Sequence, residues 1–239
     1  GGRVACYGPA AIRAAYGVDG LLAGGFNGAG QTIVILDAFG SPFAAGDLVQ
    51  FDTIFGLPAP PSFTQIAMPG TPPYDPANGN IVGWTAEIAL DTQWAHAIAP
   101  SANIVLLAGK SNSDQDLLDA LNYALDNHLG SVVSMSFGES EADLANPDGL
   151  DIVKGWSAAF AKARLQHVTL LVSSGDQGSA TENYPFQNVS WPSSSPLVTS
   201  VGGTNLRFGT ATNASPPPPC PSDPLGRCVG KYQSESVWN

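Results

Sequence analysis

Glu87 and Asp91 lie four residues apart in Trp84-Thr-Ala-Glu-Ile-Ala-Leu-Asp-Thr-Gln-Trp-Ala-His-Ala-Ile-Ala-Pro100, where apolar residues recur at helical spacing. Residues at i and i+4 share a helix face, so two carboxylates stand side by side. Like charges there repel by a few tenths of a kcal/mol unless the pair shares a proton, and a proton-sharing pair is a natural general base. The plainer reading is two solvated acids near a helix start, where the dipole favours them. A third acid, Asp176, sits in Ser174-Gly-Asp-Gln-Gly-Ser179 directly after an apolar run, and the two glycines permit a tight turn. That turn is either an Asx-type strand exit or a device that aims a neutral carboxyl group at a developing oxyanion.

The chain has 239 residues, 44% of them hydrophobic, enough for one substantial domain over 1–239. Charged residues make up only 12%, yet twenty acids face nine bases for a net charge of −11. That balance argues against nucleic acid and against an anionic membrane surface as partners. A surface with few cations has few ion pairs to lose when carboxylates protonate, which suits work in acid. No run of eighteen apolar residues exists, and Gly1-Gly-Arg-Val-Ala lacks the hydrophobic region of a signal peptide, so the sequence reads as a processed or trimmed chain.

Of the three cysteines, Cys220 and Cys228 bracket a short polar loop beside a run of four prolines. A disulfide would close that loop and points to a secreted protein or an oxidising compartment; the alternative is two free thiols, with no zinc spacing in sight. Cys6 is left over. Asn188-Val-Ser and Asn213-Ala-Ser fit the glycosylation sequon, a triplet common by chance.

The positioning elements follow from periodicity. A short helix near Pro9 precedes a buried strand, Thr32 to Asp37; Phe43 to Phe55 reads as a helix, and Leu57 to Gly83, rich in Pro, Gly and Asn, as a long surface loop. After the carboxylate helix, strands at 103–108, 131–136, 168–174 and 196–201 alternate with helices at 113–128 and 151–167. Alternating buried strands and helices yield an α/β fold with a mostly parallel sheet covered on both faces. Chemistry gathers at the carboxyl ends of such strands, which carry Asp37, Ser136-Phe-Gly-Glu139 and Ser173-Ser-Gly-Asp-Gln-Gly178.

In order along nearly the whole chain, Glu87-Ile-Ala-Leu-Asp91 with His96-Ala-Ile-Ala-Pro-Ser-Ala-Asn-Ile-Val105, Ser134-Met-Ser-Phe-Gly138, Ser173-Ser-Gly-Asp-Gln-Gly178, and Trp191-Pro-Ser-Ser-Ser-Pro with Val201-Gly-Gly-Thr204 resemble the sedolisins, the serine-carboxyl peptidases. The resemblance implies a subtilisin-like fold and peptide hydrolysis in acid. It implies that Glu87 is the general base for a serine, that Asp91 orients it, and that Asp176 supplies the oxyanion hole. It implies that Ser134, Met135, Ser136, Phe137 and Gly138 hold an extended peptide substrate as an added strand. Asp37 matches the strand end where histidine-based subtilisins keep their triad aspartate, and in some sedolisins an acid there extends the proton network. A carboxylate base fits acid operation, because an imidazole would already be protonated.

The sequence departs from the family at one point. The nucleophile belongs to a Gly-Thr-Ser motif, and none occurs here; Gly203-Thr-Asn205 is the nearest string. The expectation is therefore an incomplete catalytic domain whose remaining C-terminal segment carries the serine and the family's calcium site, so that no metal ligands fall in this chain. An inhibitory propeptide is the other partner the resemblance implies. Three rivals stand beside this reading: a histidine-based subtilisin using His96, a glycosidase using the Glu87 and Asp91 carboxyls, and a catalytically inactive secreted homologue or binding module with the same fold.

Overall fold

A computed structural model describes residues 7–179, 184, 186–209 and 231–238. Cys6, Cys220 and Cys228 fall outside these, and with them the disulfide reading. Pro9 opens α1 (Pro9–Ala15) at a position where no backbone N–H is needed, and α2 (Val18–Ala23) follows. The chain then runs through β1 (Thr32–Ala38), α3 (Ala44–Phe55), β2 (Phe63–Ala67), α4 (Gly79–Ile98), β3 (Asn103–Gly109), α5 (Asp114–Asp126), β4 (Val132–Met135) and β5 (Glu139–Ser140). It continues with α6 (Pro147–Leu165), β6 (Thr169–Ser173), β7 (Ser190–Trp191), β8 (Thr199–Val201), β9 (Thr204–Gly209) and β10 (Lys231–Val237).

Six strands form one sheet in the order β2-β3-β1-β4-β6-β8, with every neighbouring pair parallel. The expected mostly parallel sheet flanked by helices is the architecture observed. Alternation along β1 divides its side chains between two cores. Val34 and Leu36 join the core beneath α5 and α6, where Leu117, Leu121, Trp156 and Phe160 are buried. Ile35 faces the other way, onto Ile88 of α4 and Ile104 and Leu106 of β3.

Two boundaries differ from the sequence reading. The span Leu57 to Gly83, expected as loop, contains β2, which pairs with β3 from Phe63↔Ile104 to Ala67↔Ala108. It also contains the first turn of α4, because the Asn78 side chain accepts from the backbone N–H groups of Asn80 and Ile81 at 3.0 and 3.3 Å. Likewise α6 starts at Pro147 rather than near Asp151, with the Asn146 side chain capping Gly149 at 3.0 Å.

Beyond the main sheet, β9 and β10 form an antiparallel ribbon that lies against the start of the chain. The Tyr7 hydroxyl donates to the Leu206 carbonyl at 3.3 Å, and the Tyr16 hydroxyl donates to Glu235. Among the described residues no helix is long and apolar enough to cross a membrane.

Candidate active site

The strand-and-helix geometry explains how three acids meet. Asp37 follows Ile33 and Ile35 at period two, so it points from β1 toward the α4 side of the sheet. On α4, Ile88 is fully buried against Ile35, and Asp91 lies three residues further on, near the same face. Glu87 flanks that face one turn before Asp91 and reaches the open end of the sheet. The result is a series of carboxyl groups that runs from the core outward. Asp37 is 0% exposed, Asp91 and Glu87 are partly buried, and Asp176 is at the surface.

Burial and mutual repulsion act in one direction here. Burial, then the Asp91 and Glu87 carboxylates, push Asp37 well above the ordinary aspartate range. Both of its oxygens lack a hydrogen-bond partner. Glu87 is raised by burial first, then by Asp91 and Asp176. Asp91 is raised by burial, while a hydrogen bond from the Ser136 hydroxyl works against that rise. A cluster of this kind binds protons in acid and gives them up reluctantly, the property required of groups that pass one proton among themselves.

Asp176 comes from the turn after β6. Gly175 has φ +92°, a conformation that favours glycine, and this lets the chain reverse at the strand exit and present Asp176 to the cleft. On the facing side the chain leaves β4 at Met135. Ser134 and Met135 lie inside the ladder, paired with β1 on one side and β6 on the other, and Met135 is 1% exposed. Ser136, Phe137 and Gly138 lie past the ladder and line the cleft. Gly138 backs so closely onto the Ser190 hydroxyl and the Trp191 carbonyl that a Cβ would collide with both.

Between these walls lies a cavity of about 560 Å³, with Trp84 and Glu87 on the α4 side, Phe137 and Glu139 opposite, and Asp176 at one end. The structure thus gathers Glu87, Asp176 and Ser136 to Gly138 around one opening, while Asp91 and the fully buried Asp37 lie inward of Glu87 and do not line it. Glu139 and Asp143 also line it. Sequence reasoning placed Glu139 at a strand end and assigned it nothing; Asp143 it passed over.

His96, the base of the rival subtilisin reading, is elsewhere. It is 0% exposed, and its Nε2 donates to the Pro58 carbonyl at 2.7 Å and lies 3.3 Å from Asp52 Oδ1. It ties the end of α4 to α3 and does not line the cavity.

Kumamolisin from Bacillus sp. (strain MN-32) is 30% identical over 218 residues, covering 90% of this chain and 34% of that protein. Sedolisin from Pseudomonas sp. (strain 101) is 36% identical over 135 residues, covering 54% of this chain and 19% of that protein. The solved Pseudomonas sedolisin, a serine-carboxyl proteinase complexed with two molecules of pseudo-iodotyrostatin, superposes with a TM-score of 0.72 at 26% identity, covering 100% of this chain and 60% of that one. The chain belongs to the sedolisin family. No family model matches it. It spans about a third of kumamolisin and 60% of the solved sedolisin chain. The mostly parallel sheet with helices on both faces is the sedolisin architecture, and the carboxyl series lies at the C-terminal ends of its strands. Among the described residues of this sedolisin-family chain, no group of three or more His, Cys, Asp and Glu is placed to hold a metal ion.

Proposed function

We propose that the protein is a serine-type peptidase of the sedolisin kind, acting in acid, in which Glu87 is the general base, Asp91 orients it, and Asp176 stabilises the oxyanion. The observation that carries this reading is that Glu87 and Asp176 line one cleft together with Ser136 to Gly138, and that Asp91 lies beside Glu87. An extended peptide laid on that backbone would add a strand beyond β4 and put a scissile carbonyl between the two carboxyl walls. The Glu87 carboxylate then accepts the proton of a serine hydroxyl as its oxygen attacks the carbonyl carbon. Asp176, protonated, donates to the oxygen that gains the negative charge. Collapse of the intermediate returns the proton from Glu87 to the leaving amine. Asp37 lies behind Asp91 as the inner member of the proton network.

The serine belongs to this reading as a group supplied from outside the chain, in a C-terminal segment of the same domain. The same applies to a structural calcium ion and to an inhibitory propeptide before maturation. The composition, with twenty acids against nine bases, supports a secreted enzyme or one in an acidic compartment. Products separate an endopeptidase from a tripeptidyl peptidase: internal fragments in one case, successive tripeptides in the other.

The test is hydrolysis of a peptide library by the full-length protein at about pH 4, with Glu87→Gln as the altered form. The expected loss in kcat/KM is about 10²- to 10⁴-fold, the range of general acid–base catalysis. Undiminished hydrolysis by Glu87→Gln overturns the assignment of the base.

A further inference from the structure

An oxyanion donor must be placed accurately, yet the turn that carries Asp176 does little to hold it. Gly175 and Gly178 flank Asp176 with φ of 92° and 63°, and Asp176 itself is exposed. A Cβ added at Gly175 would meet nothing within 4 Å among the described residues, so no packing fixes the turn from that side. A displacement of about 1 Å in such a group is enough to cost about a hundredfold in rate. The entry of the turn is steadied by β8. Ser173 pairs with Val201, and the Ser174 N–H donates to the Val201 carbonyl at 2.9 Å. Gly202 passes so near that an added Cβ would stand 3.3 Å from the Ser174 hydroxyl.

By itself β8 is a weak support. Thr199, Ser200 and Val201 are all exposed, and the strand runs on into Gly202 and Gly203, two residues with no side chain to anchor them. The anchor comes from the residue after β10. The Trp238 indole lies on Gly203, where an added Cβ would overlap three of its ring carbons, and the Trp238 backbone N–H donates to the Gly203 carbonyl at 3.2 Å. Trp238 is 37% exposed against 73% for Val237 before it, so the ring turns inward. This end of the ribbon is pinned in turn, since Glu235 accepts from the Tyr16 hydroxyl and, at 2.8 Å, from the Thr204 hydroxyl. The indole thus occupies the place of the side chain that Gly203 lacks. Touching or bonded residues lead without a break from Trp238 through Gly203, Gly202 and Ser174 to the turn of Asp176.

We propose that Trp238 is a positioning residue for the oxyanion site: by bearing on Gly203 it holds the exit of β8 against Ser174 and so fixes the place of the Asp176 carboxyl. The ring acts at a distance from the substrate, for it does not line the cleft. The inference rests on the peptidase reading, with Asp176 as the oxyanion donor, and deepens it by naming what sets that donor in place.

The test is a double-mutant cycle in the full-length protein with Trp238→Ala and Asp176→Ala, read as kcat and KM on one peptide at about pH 4. Trp238→Ala is expected to lower kcat by about ten- to a hundredfold and to leave KM within about twofold, because the oxyanion contact exists only in the transition state. In the Asp176→Ala background the same substitution is expected to change kcat by less than about twofold. Trp238→Phe, which keeps an aromatic ring over Gly203, is expected to recover most of the loss. The cycle is repeated with Trp238→Leu, which keeps an apolar cover on the ribbon, so that a folding defect in the alanine variant does not remove the decision. Unchanged kcat overturns the inference, and so does a loss of equal size with and without Asp176, which marks a merely structural role. Hydrogen exchange gives a readout that needs no turnover: the amides of Gly175, Asp176 and Gln177 are expected to exchange about tenfold faster or more in the Trp238 variants, while those of α4 keep their rates. If the parent hydrolyses no peptide, the peptidase reading falls, and the exchange rates still decide whether Trp238 holds the turn; unchanged rates overturn it.

Discussion

The Ser136 hydroxyl donates a hydrogen bond to the Asp91 carboxylate. This bond joins the carboxylate helix to the first residue beyond the β4 ladder, so the orienting acid and the substrate-facing backbone are positioned by each other. It also holds Asp91 lower than burial alone would. Ser136→Ala is expected to shift the acid limb of the pH–rate profile upward, since Asp91 then keeps its proton to higher pH. Misplacement of the base partner is expected to lower kcat/KM by about ten- to a hundredfold. A profile that keeps its acid limb would remove Ser136 from this role.

Stability should run against the usual pH trend. Asp37, Asp91, Glu87 and Glu139 are all raised in the folded protein. A raised group contributes stability in full below its unfolded value, about 3.9 for Asp and 4.3 for Glu, and loses it as pH rises through the folded value. For Glu139 that folded value is about 7. The melting temperature is therefore expected to fall between about pH 4 and pH 7. Glu139→Gln should flatten that slope by about 2–4 °C, corresponding to about 1 kcal/mol after solvent screening of a partly exposed group. Asp37→Asn should flatten it further, and parallel curves for parent and variants would contradict the account.

Gly203 lies beneath the Trp238 indole so closely that a Cβ would overlap the ring, and the Trp238 N–H donates to the Gly203 carbonyl at 3.2 Å. Gly203→Ala must push the ring away and loosen the β9–β10 ribbon. The expected destabilisation is about 1–3 kcal/mol, measured by chemical denaturation together with loss of near-ultraviolet tryptophan signal. An unchanged midpoint would show that the ribbon yields freely at this point.

Helices α5 and α6 end in the same way. His128 and His167 follow the last helical turns with φ of 51° and 58°. The next N–H of each segment closes back onto the helix, Leu129 to the Ala124 carbonyl at 3.0 Å and Val168 to the Ala163 carbonyl at 2.9 Å. Both positions suit glycine better than histidine. His128→Gly and His167→Gly are each expected to stabilise by about 1 kcal/mol, read as raised denaturation midpoints. Lower midpoints would mean that the imidazoles make compensating contacts.

The buried strands and amphipathic helices were legible because their apolar residues repeat at period 2 or 3.6 within a short window. β2 was not, since Phe63-Thr-Gln-Ile-Ala is an edge strand with mostly exposed side chains, and its pairing with β3 rather than its own pattern makes it a strand. The start of α4 was hidden by Gly79 and Gly83, poor helix formers that the Asn78 cap offsets. At the site, Glu87 and Asp91 announced themselves by spacing, and Asp37 and Asp176 by their place at strand ends. Glu139 drew no role because its surroundings depend on Trp191 and Asp114, fifty-two residues away on one side and twenty-five on the other. No local pattern reports such a neighbourhood.

The parallel order of β1, β4 and β6 also fixes when the cleft can come into existence. Its walls come from α4, the end of β4 and the turn after β6, and no two of these are joined by a hairpin. Parallel pairing needs contacts between distant parts of the chain, which form late and slowly during folding. Until β4 docks between β1 and β6, the acids at 37, 87, 91 and 176 are separate side chains in water with ordinary acidities. A partly folded or nascent chain thus has no assembled base, and whatever chemistry the carboxyl series performs is withheld until the sheet is complete.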